Sequence, residues 1–168
     1  PRDIKKYGTV PGEGLKEGCF ESCPNVEKYL LAPGNSDFYI DNGVLLSKDK
    51  TILYSYPPKK QGTTYNIPTT VTKIGMHAFH GAQYITSIFI PTNVERIDSE
   101  AFRDLRELTT VTFDPNSKVT SIFSSAFRGC GKLKEVTLPK NITWLGAVFY
   151  ECDNLEVINV PANSKLRN

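Results

Sequence analysis

Two histidines and four cysteines are the side chains of this 168-residue chain with the widest choice of chemistry. His77 and His80 stand three residues apart on one predicted turn, close enough for their imidazoles to share a soft metal ion such as zinc. A structural zinc site takes four ligands of Cys or His type, and no cysteine or third histidine is near them in the sequence. The sequence therefore predicts that both histidines are exposed turn residues and that the chain holds no metal.

The cysteines do not complete a catalytic set. A cysteine nucleophile needs a histidine base and an orienting group that converge on it. His77 and His80 precede Cys130 by at least 50 residues, and Cys19 and Cys23 have no second pair with which to form a metal site. The chain is therefore predicted to be neither an enzyme nor a cofactor-binding protein.

Charge and composition exclude two further classes of partner. The chain has 20 basic and 18 acidic residues, a formal net charge of +2, and its basic residues form no stripe. Nucleic acid is therefore not a predicted partner. No stretch reaches the roughly 20 consecutive apolar residues that span a bilayer, so membrane insertion is not predicted either. An apolar fraction of 39% is enough for a buried core.

An internal repeat determines the predicted fold. Four consecutive units occupy 71–93, 94–118, 119–141 and 142–165. Each reads V-x-x-I, a turn, Ala-Phe, a small or apolar residue three positions later, and then L-x-x-I-x-I, usually followed by proline. A period of this length with L-x-x-L-x-L spacing is typical of a leucine-rich-repeat solenoid, whose coils stack and share one core.

The fold class predicted for residues 1–168 is therefore a single leucine-rich-repeat solenoid, mostly β, with right-handed coils of 23–25 residues. Residues 1–35 are predicted to form an irregular N-terminal repeat or cap, residues 36–60 a β-meander insertion, and residues 61–166 the regular repeats. The Asn42-Gly43 pair between two apolar runs predicts a tight hairpin in the meander. Short helical turns are predicted near 16–22, 76–82, 99–104, 124–129 and 147–151.

The repeat also gives the cysteines a structural interpretation. Cys130 and Cys152 share one repeat position on adjacent coils, where equivalent residues lie about 5 Å apart, within reach of a disulfide. Ala82 and Leu105 fill the same position in two other repeats. Such replacement is typical of a small core residue, so the four thiols are predicted to be mostly free.

These repeats resemble the BspA-like subclass of leucine-rich repeats, through the unit V-x-x-I-x-x-x-A-F-x-x-C-x-x-L-x-x-I-x-I-P. The resemblance is close over 65–166 and loose over 12–34. It implies an extracellular or cell-surface protein, because the subclass is common in surface and secreted proteins of bacteria and some protists. The chain departs from the pattern at Asp114-Pro115, where two residues are added, and lacks one residue before Val148-Phe149.

Alternation within L-x-x-I-x-I assigns two faces to each long strand. The predicted inward residues are Ile88, Ile90, Val111, Phe113, Val136, Leu138, Ile158 and Val160. The outward residues between them form a polar, threonine-rich face with one exposed aromatic. These candidate binding residues are Asn66, Ser87, Phe89, Thr110, Thr112, Glu135, Thr137, Val157 and Asn159. A solvated sheet face would look the same, since threonine is favourable in strands.

Two functions remain open. The first is a non-catalytic recognition module that binds a protein or glycan, as in adhesion at a cell surface. It would bind through the outward side chains of the sheet that these long strands form, called the inner sheet, and without a deep pocket. The alternative is a structural or assembly module that spaces or oligomerises other domains. Self-association through an exposed C-terminal coil is a further expectation, since an uncovered edge strand invites pairing.

Overall fold

The chain is a β-solenoid of about five coils in the computed structural model, which describes residues 18–21 and 23–166. Two walls of short parallel strands and a series of turns enclose one continuous apolar core. Of the predicted N-terminal repeat or cap, residues 1–17 and residue 22 lie outside the described part of the chain. Within the described part, no helix is long and apolar enough to cross a membrane.

The predicted meander precedes the regular coils of the solenoid. Strands β1 (Phe38–Asp41), β2 (Val44–Ser47) and β3 (Ile52–Ser55) pair antiparallel in that order. Asn42 and Gly43 have φ values of 45° and 82°, the positive values that a two-residue type I′ hairpin requires at both positions. The hairpin prediction is therefore confirmed.

The meander continues into the first wall of the coils. Strand β3 pairs in parallel with β4 (Lys73–Ile74), which is followed across the sheet by β6 (Arg96–Ile97), β8 (Ser121–Ile122) and β10 (Trp144–Leu145). The result is one seven-stranded sheet. Each two-residue strand comes from the V-x-x-I part of a repeat, so the repeat register is also the sheet register.

The second wall is formed by the L-x-x-I-x-I segments. Its strands are β5 (Ser87–Ile90), β7 (Thr110–Phe113), β9 (Glu135–Thr137) and β11 (Val157–Asn159). They form two parallel pairs, β5 with β7 and β9 with β11. Strands β7 and β9 are neighbours, but no hydrogen-bonded ladder of the described residues joins them.

The connections predicted to be helical turns are instead consecutive tight turns. Among the described residues there is no helix. His77, Glu100 and Ser125 occupy one repeat position and have φ values of 57°, 58° and 59°. Each is the third residue of a hydrogen-bonded four-residue turn, where type II geometry requires positive φ. A residue in this left-handed region interrupts a right-handed helix, which explains the correction.

A column of aromatic rings forms the centre of the core. Its members, called here the aromatic column, are Tyr56, Phe79, Phe102, Phe127 and Phe149. The rings of Phe79 and Phe102 lie 5.1 Å apart between centroids, and those of Phe102 and Phe127 lie 4.9 Å apart, both stacked. Phe79, Phe102 and Phe127 are fully buried. Full burial of such a side chain contributes about 1.5–3 kcal/mol to stability.

Adjacent coils are joined by the same hydrogen bonds at each step. The Phe79 amide donates to Ala101 O, and the Phe102 amide donates to Ala126 O, both at 2.7 Å. Threonine hydroxyls add a second kind of hydrogen bond between coils. For example, Thr109 Oγ1 donates to the carbonyl of Thr86 at 3.0 Å. Coil stacking therefore satisfies backbone groups that a single coil would leave unpaired.

The last strand differs from the others in burial. Ile88, Val111 and Val136 are buried as predicted, whereas Ile158 and Val160 are 45% and 55% exposed. Their alternation is the same, but no further strand of the described residues packs beyond β11. The two side chains therefore form an uncovered edge of the last described coil, although they continue the predicted alternation.

Candidate binding surface

The predicted binding residues lie together on the outer side of the second wall. This surface is called here the strand face, and its members are Ser87, Phe89, Thr110, Thr112, Glu135, Thr137, Val157 and Asn159. All are exposed except Ser87, which is half-buried. Asn66 is also exposed, one coil before β5. In β5, β7 and β9 the residues alternate between buried and more exposed as the period of two predicts, whereas all three residues of β11 are exposed.

The strand register brings the predicted residues into rows. Ser87 is paired with Thr110, and Phe89 is paired with Thr112. On the second pair of strands, Glu135 lies beside Val157, and Thr137 lies beside Asn159. Equivalent side chains on neighbouring strands are about 4.8 Å apart, so each row offers a continuous strip of contact groups.

Phe89 is the large apolar member of this polar face. Its side chain is 51% exposed, although the residues on either side of it in β5 are buried. Exposed aromatic rings combine a large contact area with low conformational entropy cost, and they are enriched at binding interfaces. Phe89 is therefore the largest exposed apolar side chain of the strand face.

Threonines of the neighbouring column have a structural role. Thr86 Oγ1 and Thr109 Oγ1 each donate to a carbonyl of the preceding coil, at 3.4 and 3.0 Å. On the strand face itself, Asn159 Nδ2 donates to Glu135 Oε1 at 2.5 Å and to Thr137 Oγ1 at 3.3 Å. Side-chain contacts therefore order the end of the face near β11.

A depression between β7 and β9 was not predicted. Its volume is about 310 Å³, and its walls include Thr112, Pro115, Thr137 and Lys140. It lies where the second wall lacks a ladder, next to the two residues that are added at Asp114-Pro115. That insertion was the available signal, because extra residues between strands disturb pairing.

Cys130 and Cys152 pack as the repeat predicts, whereas Cys19, which was also predicted to pack in the core, is exposed. Cys130 is buried and Cys152 is half-buried. The Cys130 thiol donates to the carbonyl oxygen of Phe102 at 3.2 Å, and the Cys152 thiol donates to that of Phe127 at 3.0 Å. A side-chain hydrogen bond with Cys152, together with burial, raises the pKa of the Cys130 thiol well above its ordinary value. Cys130 is therefore a poor nucleophile at neutral pH.

Alkylation without reductant is expected to add four labels once the chain is denatured. In the native state Cys19, which is exposed, is expected to react first, and Cys130 last, because its thiol is buried and its thiolate is disfavoured. Mass spectrometry of proteolytic fragments measures both results. A quantitative Cys130–Cys152 disulfide would contradict the prediction and would indicate an oxidising compartment.

The two histidines are not the exposed turn residues that the sequence predicted. The side chains of His77 and His80 are only 10% and 17% exposed. The N-terminal segment 18–21 packs over His77, and Glu21 Oε2 lies 3.6 Å from His77 Nε2. Burial lowers the pKa of His77, opposed by the carboxylates of Glu21 and Glu100. Contacts between distant segments, invisible in the local spacing, explain the difference.

Comparison with protein families gives a match over most of the chain. The model of the BspA-type leucine rich repeat region matches residues 54–168 as six copies. This range includes the aromatic column, both walls of the coils and all members of the strand face. No curated protein matches the chain.

Solved bacterial structures share the fold. The pneumococcal vaccine antigen PcpA is 28% identical with a TM-score of 0.76, over 82% of this chain and 34% of that protein. A leucine-rich repeat protein from Eubacterium ventriosum is 28% identical with a TM-score of 0.68, over 87% of this chain and 45% of that one. A leucine rich cell surface protein from Faecalibacterium prausnitzii is similar in fold alone. It is 22% identical with a TM-score of 0.58, over 80% of this chain and 44% of that one. The chain thus spans less than half of each of these three proteins.

Proposed function

Because the chain belongs to the BspA-type leucine-rich repeat family, we propose that it is a non-catalytic recognition module that binds a protein or glycan through the strand face. The observation that carries this proposal is the exposure of Phe89 at 51% within a row of polar side chains on a rigid wall. Repeat solenoids present such extended surfaces to macromolecules. The core residues of each coil fix the surface without taking part in binding.

The depression between β7 and β9 adds to this proposal. Thr112 and Thr137 line it from the two sides, and Phe89 is paired with Thr112 on the adjacent strand β5. A largely apolar recess with a threonine hydroxyl on each side suits a short segment of a macromolecule that has both apolar and polar groups, because hydroxyls both donate and accept hydrogen bonds. The proposed surface is therefore an open strip with one shallow recess.

An extracellular or cell-surface location is part of the proposal. It rests on the family and on the names of the structural relatives, one of which is a cell surface protein and another a vaccine antigen.

The proposal is tested with a triple variant of Phe89→Ala, Thr112→Ala and Thr137→Ala. Fluorescently labelled chain is applied to arrays of glycans and of immobilised extracellular proteins, and the bound signal is titrated. The triple variant is expected to bind at least about tenfold more weakly, since truncating a central contact residue costs over about 1 kcal/mol. Circular dichroism should be unchanged because all three side chains are exposed.

Trp144→Ala is the matched control. Trp144 is 57% exposed but lies in β10 on the seven-stranded sheet. Binding to the strand face should not change in this variant. An equal loss in the control, or no binding on either array, would refute the strand face as a recognition surface.

The alternative function, assembly of other domains or copies, is favoured by one observation. Val157, Ile158 and Val160 are 43%, 45% and 55% exposed along the edge of the coils at β11. An exposed apolar edge strand is a template for pairing with another chain. Light scattering over a concentration series distinguishes the two, because an assembly module would associate and Ile158→Lys would abolish the association.

A further inference from the structure

Glu21, His77 and His80 meet at the junction between the N-terminal segment and the first regular repeat. One donor atom from each residue lies within 4.8 Å of the other two. We propose that these three side chains bind one divalent transition-metal ion of the zinc class. Two imidazoles and one carboxylate are a known type of zinc ligand set that leaves a fourth position open.

His77 and Glu21 have the spacing of two ligands on one ion. Bonds of 2.0–2.1 Å with tetrahedral geometry place ligand atoms about 3.3 Å apart. Glu21 Oε2 and His77 Nε2 are 3.6 Å apart, so a small approach of the two side chains admits an ion between them. The other nitrogen of His77, Nδ1, faces Glu100 Oε2 at 3.7 Å.

Segment 18–21 is fitted closely against the His77 ring. A Cβ atom added at Gly18 would lie 2.8 Å from His77 Cδ2, and Gly18 has a φ of +80°. Glycine therefore lets the backbone approach the imidazole and direct Glu21 toward Nε2. The side chain of His77 is nine-tenths buried as a result.

His80 supplies the third ligand from an unpaired nitrogen. Its Nε2 lies 3.3 Å from Asp104 Oδ2, while its Nδ1 is buried without a hydrogen-bond partner. Ligating histidines commonly donate their other ring N–H to a carboxylate, which fixes the ring and the tautomer. With Nε2–H directed to Asp104, the lone pair of Nδ1 is available to a metal.

Contacts with Arg103 distinguish the two supporting carboxylates, Glu100 and Asp104, from the ligand carboxylate, Glu21. Arg103 Nη1 contacts Glu100 Oε2 at 2.6 Å, and Arg103 Nε contacts Asp104 Oδ2 at 3.3 Å. Glu100 and Asp104 are thus held by the guanidinium as supporting groups, whereas Glu21 comes from a different coil and faces the imidazoles. Imidazole nitrogens select zinc, copper or nickel over magnesium and calcium.

Solvent reaches the cluster through a depression of about 490 Å³. Glu21, His80 and Asp104 form part of its wall, together with Gln83 and Glu107. A water molecule can therefore occupy the fourth position on the ion. Because Glu21 and the histidines come from different coils, a bound ion would join the N-terminal segment to the first repeat.

The test uses the whole chain after chelation, titrated with Zn²⁺ alone by calorimetry. One site per chain is expected, with no competition from Mg²⁺ or Ca²⁺. Glu21→Gln and His80→Gln should each abolish the site, and Asp104→Asn should weaken it about 10- to 100-fold as a supporting residue. Glu107→Gln, in the same depression but outside the ligand set, should bind normally.

Cobalt substitution separates this site from the thiols. Co²⁺ bound by nitrogen and oxygen should give visible d–d absorption without the near-ultraviolet band of a thiolate ligand, and Cys19→Ser with Cys23→Ser should leave it unchanged. Circular dichroism of each metal-free variant verifies folding. Absence of Zn²⁺ binding, or binding that survives both Glu21→Gln and His80→Gln, would overturn the proposal.

Discussion

Phe102→Ala is expected to lower the free energy of unfolding by about 3–5 kcal/mol, the range for truncation of a fully buried phenylalanine. Phe102 is at the middle of the aromatic column and stacks on Phe79 and Phe127 at 5.1 and 4.9 Å. Its loss removes both stacking contacts and leaves a cavity between two coils. The walls cannot collapse into it, because the backbone bonds on either side fix the coil spacing.

Denaturant unfolding followed by circular dichroism measures this loss. Phe89→Ala is the matched control, since it removes the same side chain from an exposed position and should change stability by at most about 0.5 kcal/mol. Phe149→Ala should fall between them, because Phe149 is half-buried and follows Phe127 at 5.8 Å in the last described coil. A loss below about 1 kcal/mol for Phe102→Ala would show that the aromatic column does not dominate the core.

Gly129→Ala is expected to lower the free energy of unfolding by about 2–5 kcal/mol. Gly129 has a φ of +72°, a conformation that costs an L-residue about 1–2 kcal/mol. An added Cβ would also collide with the Asp104 carboxylate and lie 3.5 Å from its Cα. Displacement of a packed neighbour adds about 1–3 kcal/mol.

Gly81→Ala separates these two contributions. Gly81 holds the same repeat position with a φ of +67°, but nothing lies within 4 Å of an added Cβ. It should therefore lose only the conformational part, about 1–2 kcal/mol. Equal losses at the two glycines, measured by the same denaturant titration, would contradict a steric contribution from Asp104.

Periodicity in the sequence was enough to predict the coils. The spacing of Val, Ile and Phe indicates which side chains are enclosed, and Ile88, Val111 and Phe102 are buried accordingly. It also placed Phe89 and Thr112 on the exposed side of their strands. Each of these inferences depends on alternation within one repeat, which a single coil already specifies.

Features that depend on contacts between distant residues were not predictable in the same way. His77 is covered by the segment that contains Glu21, 56 residues before it in sequence, and His80 contacts Asp104, 24 residues after it. The break between β7 and β9 depends on how two added residues fit against the next coil. The turns were mistaken for helical ones because His77 and Glu100 are not glycines, although both have positive φ.

Contacts of the same kind recur between successive coils, so the core does not limit the number of coils. Before the second wall, Thr86 Oγ1 contacts Thr63 O at 3.4 Å and Thr109 Oγ1 contacts Thr86 O at 3.0 Å. The stacked rings recur in the same way, at 5.1 and 4.9 Å. Along the aromatic column and the first wall, each coil thus presents to its successor the same kind of surface that its predecessor presented to it. An array of this kind can gain or lose whole units while each remaining joint is preserved. Reach and surface chemistry can consequently diversify separately, the first by duplication of units and the second by substitution of exposed residues.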